Sequence, residues 1–294
     1  MRTIRKLFFQ NSSGQRWGLN GDRGVYASNL SGFGVTLEPG FSDLGGGFFS
    51  RVNDTSEPQA TIPFTLTFTK APYQTYGAFV DWLSAEDANI TLVYNPTGNA
   101  EYCRDVSINF LQKGELNAVG WLEVPCSFFC KTPWYLPAPA EIDAEATGAD
   151  ESKRYDYFYT DEFCYGEDST SSMSVVIAGS GHIPGALELS FVGAVTNPRI
   201  RLRGNISGKT YGVCAVEAIL ENSDTLKYSS RYENSFVKKV SAAGEETDLL
   251  DVLDLSKNPF FHVPVNEPCT VLLEADSSFA GRAELLIYYY YRSV

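Results

Sequence analysis

The sequence has no apolar run of the ~18 residues that a membrane-spanning helix needs. It also has no opening of secretory type: Arg2, Arg5 and Lys6 are followed only by Leu7-Phe8-Phe9, where a signal carries about 7–15 apolar residues. A helical span is excluded, and the chain reads as made and folded in a cytoplasm. Histidine is scarce, with two in 294 residues. A Ser-His-Asp or Cys-His site would have to use His182 or His262, and each lies in a loop near a proline. There is no G-x-S-x-G elbow and no G-x-x-x-x-G-K-[ST] phosphate loop. Positive charge is short as well: 23 Lys and Arg stand against 36 Asp and Glu, a net of −13. That argues against general nucleic-acid binding, which needs a basic footprint. It leaves room for an acidic lumen shared by several copies, through which repulsion lets DNA slide without sticking. The six cysteines contain no C-x2-C pair of zinc-site type. Cys126 and Cys130 share one face of an alternating strand with Phe128, which reads as small buried hydrophobes.

What is plentiful is the aromatic ring: 14% of residues, with 17 Tyr and 19 Phe. Such usage favours pleated strands. Ile62, Phe64, Leu66 and Phe68 alternate with Thr61, Pro63, Thr65 and Thr67, a half-buried strand whose Pro63 belongs at an edge or a start. Pro72 then opens a helix, and Tyr76, Phe79, Val80 and Leu83 follow on one helical face. Ile90–Tyr94, Val106-Ile108-Phe110 and Leu122–Cys130 read as further strands. Asn117–Gly120 is a hairpin-like break. Between Phe33 and Ser56, Gly34, Gly40, Gly45, Gly46 and Gly47 are interspersed with Phe41, Phe48 and Phe49. This pattern suits either a plain glycine-rich loop or a hairpin arm whose aromatics touch a neighbour.

Pro137-Ala138-Pro139 marks a domain boundary, giving domains 1–139 and 140–294. An acidic stretch from Glu141 to Asp168 follows, within which Tyr155, Tyr157 and Tyr159 alternate as a strand. The second half is strands throughout: Leu187-Leu189-Phe191, Ile200 and Leu202 between Arg199, Arg201 and Arg203, Val213–Leu220, Val271–Glu274 and Leu285–Tyr291. Leu249–Leu255 suggests one helical turn. Short strands at even spacing with turn signals between them indicate a β-sandwich.

Two motifs invite enzymatic readings. Gly179-Ser180-Gly181-His182-Ile183-Pro184-Gly185 has the glycines of a dinucleotide loop, with one residue too many. The residues after it alternate like a strand where a helix is required, and Arg199 stands where an acid should hold the ribose. The reading is rejected. Glu141-Ile142-Asp143-Ala144-Glu145 would put three carboxylates on one face of a strand, as in laminarinase-type β-sandwich glycosidases, with Glu141 and Glu145 sharing nucleophile and acid/base roles.

The order of elements along nearly the whole chain resembles the distal tail proteins of long-tailed bacteriophages. Arg5-Lys6-Leu7-Phe8-Phe9 with Asn11-Ser12-Ser13-Gly14 is similar to that family's first strand and turn, and Leu30-Ser31-Gly32-Phe33-Gly34 to its glycine motif before the arm. Phe129-Cys130-Lys131-Thr132-Pro133-Trp134-Tyr135 resembles the end of its first domain. Gly181–Gly185, Asn197-Pro198-Arg199-Ile200, Pro259–Pro264 and Tyr288–Tyr291 match in order in the second half. Val265-Asn266-Glu267-Pro268 departs from it, lacking a glycine beside the asparagine. The resemblance implies a mainly β chain of two β-sandwich domains, the first tail-tube-like with one helix and an extended arm, the second galectin-like. It implies a homo-hexameric ring at the virion tail tip, assembled in the bacterial cytoplasm. The ring would join the tail tube protein to the tail-tip hub and to receptor-binding proteins, with DNA passing through its centre. The arm residues are then Phe41, Leu44, Gly45, Gly46, Gly47, Phe48 and Phe49, and no catalytic residue, metal, cofactor or membrane contact is expected. Two other readings compete. One is a carbohydrate-binding adhesion module using Trp134 as its aromatic platform. The other is the glycosidase of Glu141 and Glu145.

Overall fold

Alternation of apolar and polar residues builds most of this chain into strands, and the pattern fixes which side of each strand is covered. The structure, a computed structural model, describes residues 5–35, 38–46, 48–56, 58–85, 90–142, 171–179, 181–276 and 280–294. The expected strand at Tyr155–Tyr159 lies outside the described residues, as does the acidic stretch from Asp143 to Asp168. The chain divides into two compact units, Met1–Leu136 together with Tyr290–Val294, and Pro137–Tyr289.

The first part of the chain contains β1 (Lys6–Gln10), β2 (Arg16–Gly18), β3 (Val25–Ser28), β4 (Glu38–Gly45), β5 (Phe48–Ser56) and β6 (Thr61–Phe68). Helix α1 (Pro72–Ser84) follows, then β7 (Ile90–Asn95), β8 (Tyr102–Leu111), β9 (Leu122–Cys130) and β10 (Trp134–Ile142). The antiparallel pairings run β2-β1-β7-β8-β9-β6-β3. Just after β2, the Leu19 N–H donates to the Leu7 carbonyl at 2.9 Å, and the Leu19 carbonyl accepts from Ala27 N–H at 2.9 Å. The first and last strands of that series are thereby joined, and the sheet closes around one core. Inside it, the Phe9 ring lies 4.9 Å from Phe128 and 6.1 Å from Phe79, and Phe64 stacks on Phe128 at 5.3 Å. Each such ring pair adds roughly 0.5–1.5 kcal/mol to the burial term. Pro72 occupies the first turn of α1, and Phe79 and Leu83 are the helix residues fully buried against this core. Thr61–Phe68 behaves as read: Ile62, Phe64, Leu66 and Phe68 are buried. β3 pairs only with Thr65–Phe68, so Pro63 sits where no ladder partner on that side needs its missing N–H.

The second unit contains β11 (Ser171–Ile177), β12 (Ile183–Thr196), β13 (Arg199–Gly204), β14 (Thr210–Ala215), β15 (Ile219–Leu220), β16 (Thr225–Arg231), β17 (Asn234–Val240), β18 (Glu246–Asp248), β19 (Cys269–Ala275) and β20 (Ala280–Tyr291). Its strands form one sheet in the order β18-β17-β16-β12-β20 and a second in the order β11-β19-β13-β14. Leu187, Leu189 and Phe191 of β12 and Leu285 and Ile287 of β20 are buried from the first sheet. Ile200 and Leu202 of β13 and Val271 and Leu273 of β19 are buried from the second. Two sheets, each with one apolar face, make a β-sandwich. The arginines between the buried residues of β13 turn outward, where Arg199 pairs with Asp276 at 2.6 Å and Arg201 with Glu274 at 3.0 Å.

Val106, Ile108 and Phe110 lie on one strand, β8, as read, although the β8–β9 register shifts between Ile108 and Phe110 and this bulge leaves Phe110 exposed. Two local readings are corrected. Val213–Leu220 is not one strand, because Val216 leaves the sheet ladder to bridge Leu253, splitting β14 from β15. Leu249–Leu255 is not one turn but two short 3-10 segments, Leu250–Val252 and Leu255–Lys257, the second capped by the Asp254 carboxylate accepting from Ser256 N–H.

Candidate functional site

The hairpin β4–β5 is the feature that the rest of its unit does not account for. The two strands pair with each other and with no other strand among the described residues. Their register places Glu38 opposite Ser56, Phe41 opposite Arg51 and Gly45 opposite Phe48, and it shifts twice, between Pro39 and Phe41 and between Asp43 and Gly45. Each shift adds twist and bends the ribbon. Gly46 makes the turn at φ 64°, a conformation that glycine adopts without a steric penalty. Phe41 is 59% exposed and Phe48 73% exposed. A two-stranded ribbon alone in water is marginal at best.

The base of the hairpin, by contrast, is firmly held. Phe33 stacks on buried Trp134 with ring centroids 5.2 Å apart and meets Tyr94 edge-on at 5.1 Å. Ser31 N–H donates to the Pro63 carbonyl at 3.3 Å. Gly32 between them has φ 79°, and a Cβ there would collide with the Thr61 carbonyl oxygen. The glycine-phenylalanine motif is thus a hinge plate: Gly32 lets the backbone pass close to β6, and Phe33 plugs into the core beside it.

Of the residues proposed for the arm, Phe41, Leu44 and Gly45 lie on β4, Gly46 in the turn, and Phe48 and Phe49 on β5. Gly47 lies outside the described residues. The loop alternative for this stretch is replaced by a paired ribbon. Its span is set by its strands: nine residues of β5 at ~3.3 Å per residue reach roughly 30 Å.

The enzymatic and sugar-binding constellations fare differently. Trp134 is fully buried under Phe33 and cannot serve as an exposed sugar platform, so that reading loses its named residue. Glu141 falls near the end of β10, while Asp143 and Glu145 lie outside the described residues. His262 stacks flat on Tyr232 with centroids 4.0 Å apart, and burial holds its pKa below the usual histidine value. Cys126 and Cys130 are buried free thiols in the first core, and burial pushes Cys126 up to about 12. Such thiols stay protonated and poorly nucleophilic.

The dinucleotide-like glycines have a structural explanation that sequence reasoning missed. β12 begins at Ile183, so a strand follows them. A Cβ at Gly179 would strike the backbone of Glu267, and one at Gly185 would lie 2.8 Å from the Tyr288 carbonyl oxygen. Glu267 itself is buried and well satisfied. Its carboxylate accepts from Ile206 N–H at 2.9 Å, from Ser207 N–H at 2.5 Å, from Ser207 Oγ at 3.1 Å and from the Tyr211 hydroxyl. These donors hold its pKa down at about 2, led by the Ser207 backbone. A Cβ at Gly204 would collide with the same carboxylate. Glu267 therefore pins the turn after β13, which gives the Asn266-Glu267 departure a structural role of its own. The signal in the sequence was a lone acid between Asn and Pro, too common a pattern to be read in advance.

Comparison with known proteins adds two kinds of match. Residues 6–131 match the family model of the distal tail protein, N-terminal domain. The whole chain superposes on a chain of the phage P2 baseplate in its activated conformation with calcium, with a TM-score of 0.66 and 15% identity, covering 99% of this chain and 100% of that one. It also superposes on the SPP1 Dit (gp 19.1) protein, described as a paradigm of hub adsorption apparatus in phages infecting Gram-positive bacteria. There the TM-score is 0.57 and the identity 11%, covering 97% and 98%. No curated protein matches.

Proposed function

We propose that the chain is the ring-forming hub subunit of a phage tail tip, a reading supported by the match of residues 6–131 to the family model of the distal tail protein, N-terminal domain. The likeness of its fold to those of a phage P2 baseplate chain and the SPP1 Dit protein supports the same reading. In this reading six copies close into a ring through their first units. The ring joins the tail tube protein above to the tail-tip hub protein below, in the virion's tail tip, after assembly in the host cytoplasm. The second unit, a galectin-like sandwich, faces outward and carries receptor-binding proteins. The net charge of −13 suits a lumen that DNA crosses without adhering.

The β4–β5 hairpin carries the proposal. It pairs with no other strand among the described residues, follows the Gly32-Phe33 anchor on the core, and exposes phenylalanines. A ring needs a heterologous contact, in which one patch of each copy fits a different patch of the next. A ribbon that leaves its own unit supplies one half of that contact, and large aromatic side chains are the residues that most often anchor such interfaces. Deleting residues 41–50 tests it directly. The account expects the shortened chain to fold and to lose the ring. A ring that survives the deletion removes the arm from the assembly.

A further inference from the structure

One of the two histidines of this chain is placed where gaining a proton would cost the fold. His262 lies in the 259–264 loop of the second unit, and that loop is anchored on both sides of it. Phe261 is buried and stacks on Tyr228 with centroids 5.6 Å apart, and the Tyr228 hydroxyl donates to the Pro259 carbonyl at 3.0 Å. Val263 exchanges two backbone hydrogen bonds of 2.8 Å with Gly185. The His262 ring is turned to the two-residue turn between β16 and β17, where it lies flat on Tyr232 at 4.0 Å and 19°. Tyr232 is 58% exposed, and its hydroxyl donates to the Pro184 carbonyl at 3.5 Å. The stack ties a turn that projects into solvent to a loop that is fixed.

The ring's Nε2 is buried and has no hydrogen-bond partner among the described residues. A neutral imidazole carries only a lone pair at such an atom. A proton there makes a buried N–H without an acceptor, at the full desolvation cost of that group. The hydrogen bond with the Ser230 backbone favours the charged ring, but burial outweighs it and holds the pKa below the ordinary 6.5. The charged and titratable groups around the contact are Arg231, Tyr232 and Glu233 at the turn, Glu188 on β12, Tyr288 on β20 and His182 ahead of β12. The 259–264 loop adds none besides His262. Arg231 pairs with Glu233, and with Glu188 at 3.9 Å, and its guanidinium lies 4.6 Å over the Tyr288 ring. The Tyr288 hydroxyl donates to Glu188 at 2.7 Å. These groups engage one another, and none gives Nε2 an acceptor.

We propose that the Tyr232–His262 stack is an acid-released latch on the β16–β17 turn. The neutral ring stays seated against Tyr232 and holds the turn. A protonated ring is accommodated by lifting Tyr232 away, so that water reaches Nε2 and the turn loosens while Phe261 and Val263 keep the loop in place. His262 thus contributes stability that is complete above pH 6.5 and is lost as the pH falls below that value. Glu267 titrates in a more acid range, near 2, so the two effects stay separate. The inference concerns the second unit alone and does not depend on ring formation.

The test uses the full chain and mass spectrometry, which reads the turn whatever the assembly. Exchange at the imidazole C2–H across a pH series gives the pKa of each histidine separately. Backbone amide exchange, corrected for its intrinsic pH dependence, gives the protection of residues 231–235 at about pH 7.5 and about pH 5, on either side of an ordinary histidine pKa. His262 is expected to titrate below 6.5. Turn protection is expected to fall about tenfold between the two conditions, as a ring more than one unit below its ordinary pKa shifts the balance towards the open turn. His262→Phe keeps a flat ring that takes no proton, and its turn should be equally protected at both. Tyr232→Ala removes the latch from the exposed side, so its turn should lack protection at both, with the His262 pKa rising towards 6.5. This second variant decides the matter even where His262→Phe fails to fold. A wild-type His262 that titrates at or above 6.5 would overturn the proposal. So would wild-type turn protection that is the same in both conditions, or a loss that His262→Phe shows equally.

Discussion

Replacing Phe48 with serine should break assembly while leaving the subunit's own stability alone. Phe48 is 73% exposed in the isolated chain. A phenylalanine side chain carries ~200 Å² of surface, so roughly 150 Å² remains for a neighbour to cover. At ~25 cal/mol per Å² this is about 3–4 kcal/mol at each contact between copies, a factor of several hundred in the dissociation constant. Phe41, 59% exposed, contributes about 3 kcal/mol by the same reasoning. The double variant Phe41→Ser with Phe48→Ser should therefore run as a monomer at concentrations where the wild type is assembled. Light scattering across a dilution series measures the first effect, and thermal unfolding of the monomeric species measures the second. Two results would refute the reasoning. One is an assembly that survives both substitutions. The other is an unfolding temperature that falls along with assembly, which would mean that the rings pack within their own chain.

Three further perturbations probe the scaffolds of the two units. Gly32→Ala should cost about 2 kcal/mol or more, from a positive φ that alanine resists together with the collision at the Thr61 carbonyl; thermal denaturation would show it. Phe79→Ala should cost about 3–5 kcal/mol, because its fully buried ring meets Phe9, Trp17, Phe68 and Trp82, and chemical denaturation would measure the loss. Glu267 has its pKa lowered from 4.5 to about 2 in the folded chain, so its stabilisation is fully present above pH 4.5 and fades as pH falls towards 2. Glu267→Gln should remove that slope from the acid limb of the stability curve, and an unchanged slope would place the acid sensitivity elsewhere.

Much of this architecture was legible because period-two patterns are strict. Ile62 to Phe68 and Leu122 to Cys130 could face the core in only one way, and Pro72 ahead of Tyr76, Phe79 and Leu83 marks the start and the buried side of α1. Where local detail escaped the pattern, a single backbone event intervened. The bulge at Asn109 turned Phe110 outward, and the bridge from Val216 to Leu253 cut one apolar run into two strands. Neither event leaves a mark in composition. Glycines spaced among phenylalanines fitted a loop as well as a hairpin, and the pairing of β4 with β5 depends on a register that sequence does not state. Trp134 illustrates the opposite limit. Nothing in its neighbourhood distinguishes a surface ring from one covered by Phe33, which arrives from a hundred residues earlier in the chain. The glycines at 179 and 185 were equally opaque, since the groups that require them, Glu267 and Tyr288, are distant in sequence.

The central claim is that copies of this chain close into a ring with an open centre. Light scattering of the purified protein, with negative-stain images of the same fraction, tests it most directly. Six copies of 32.4 kDa predict a single species of about 194 kDa with a central hole. A mass that stays at 32.4 kDa at every concentration up to the solubility limit, or an assembly without a hole, would contradict it.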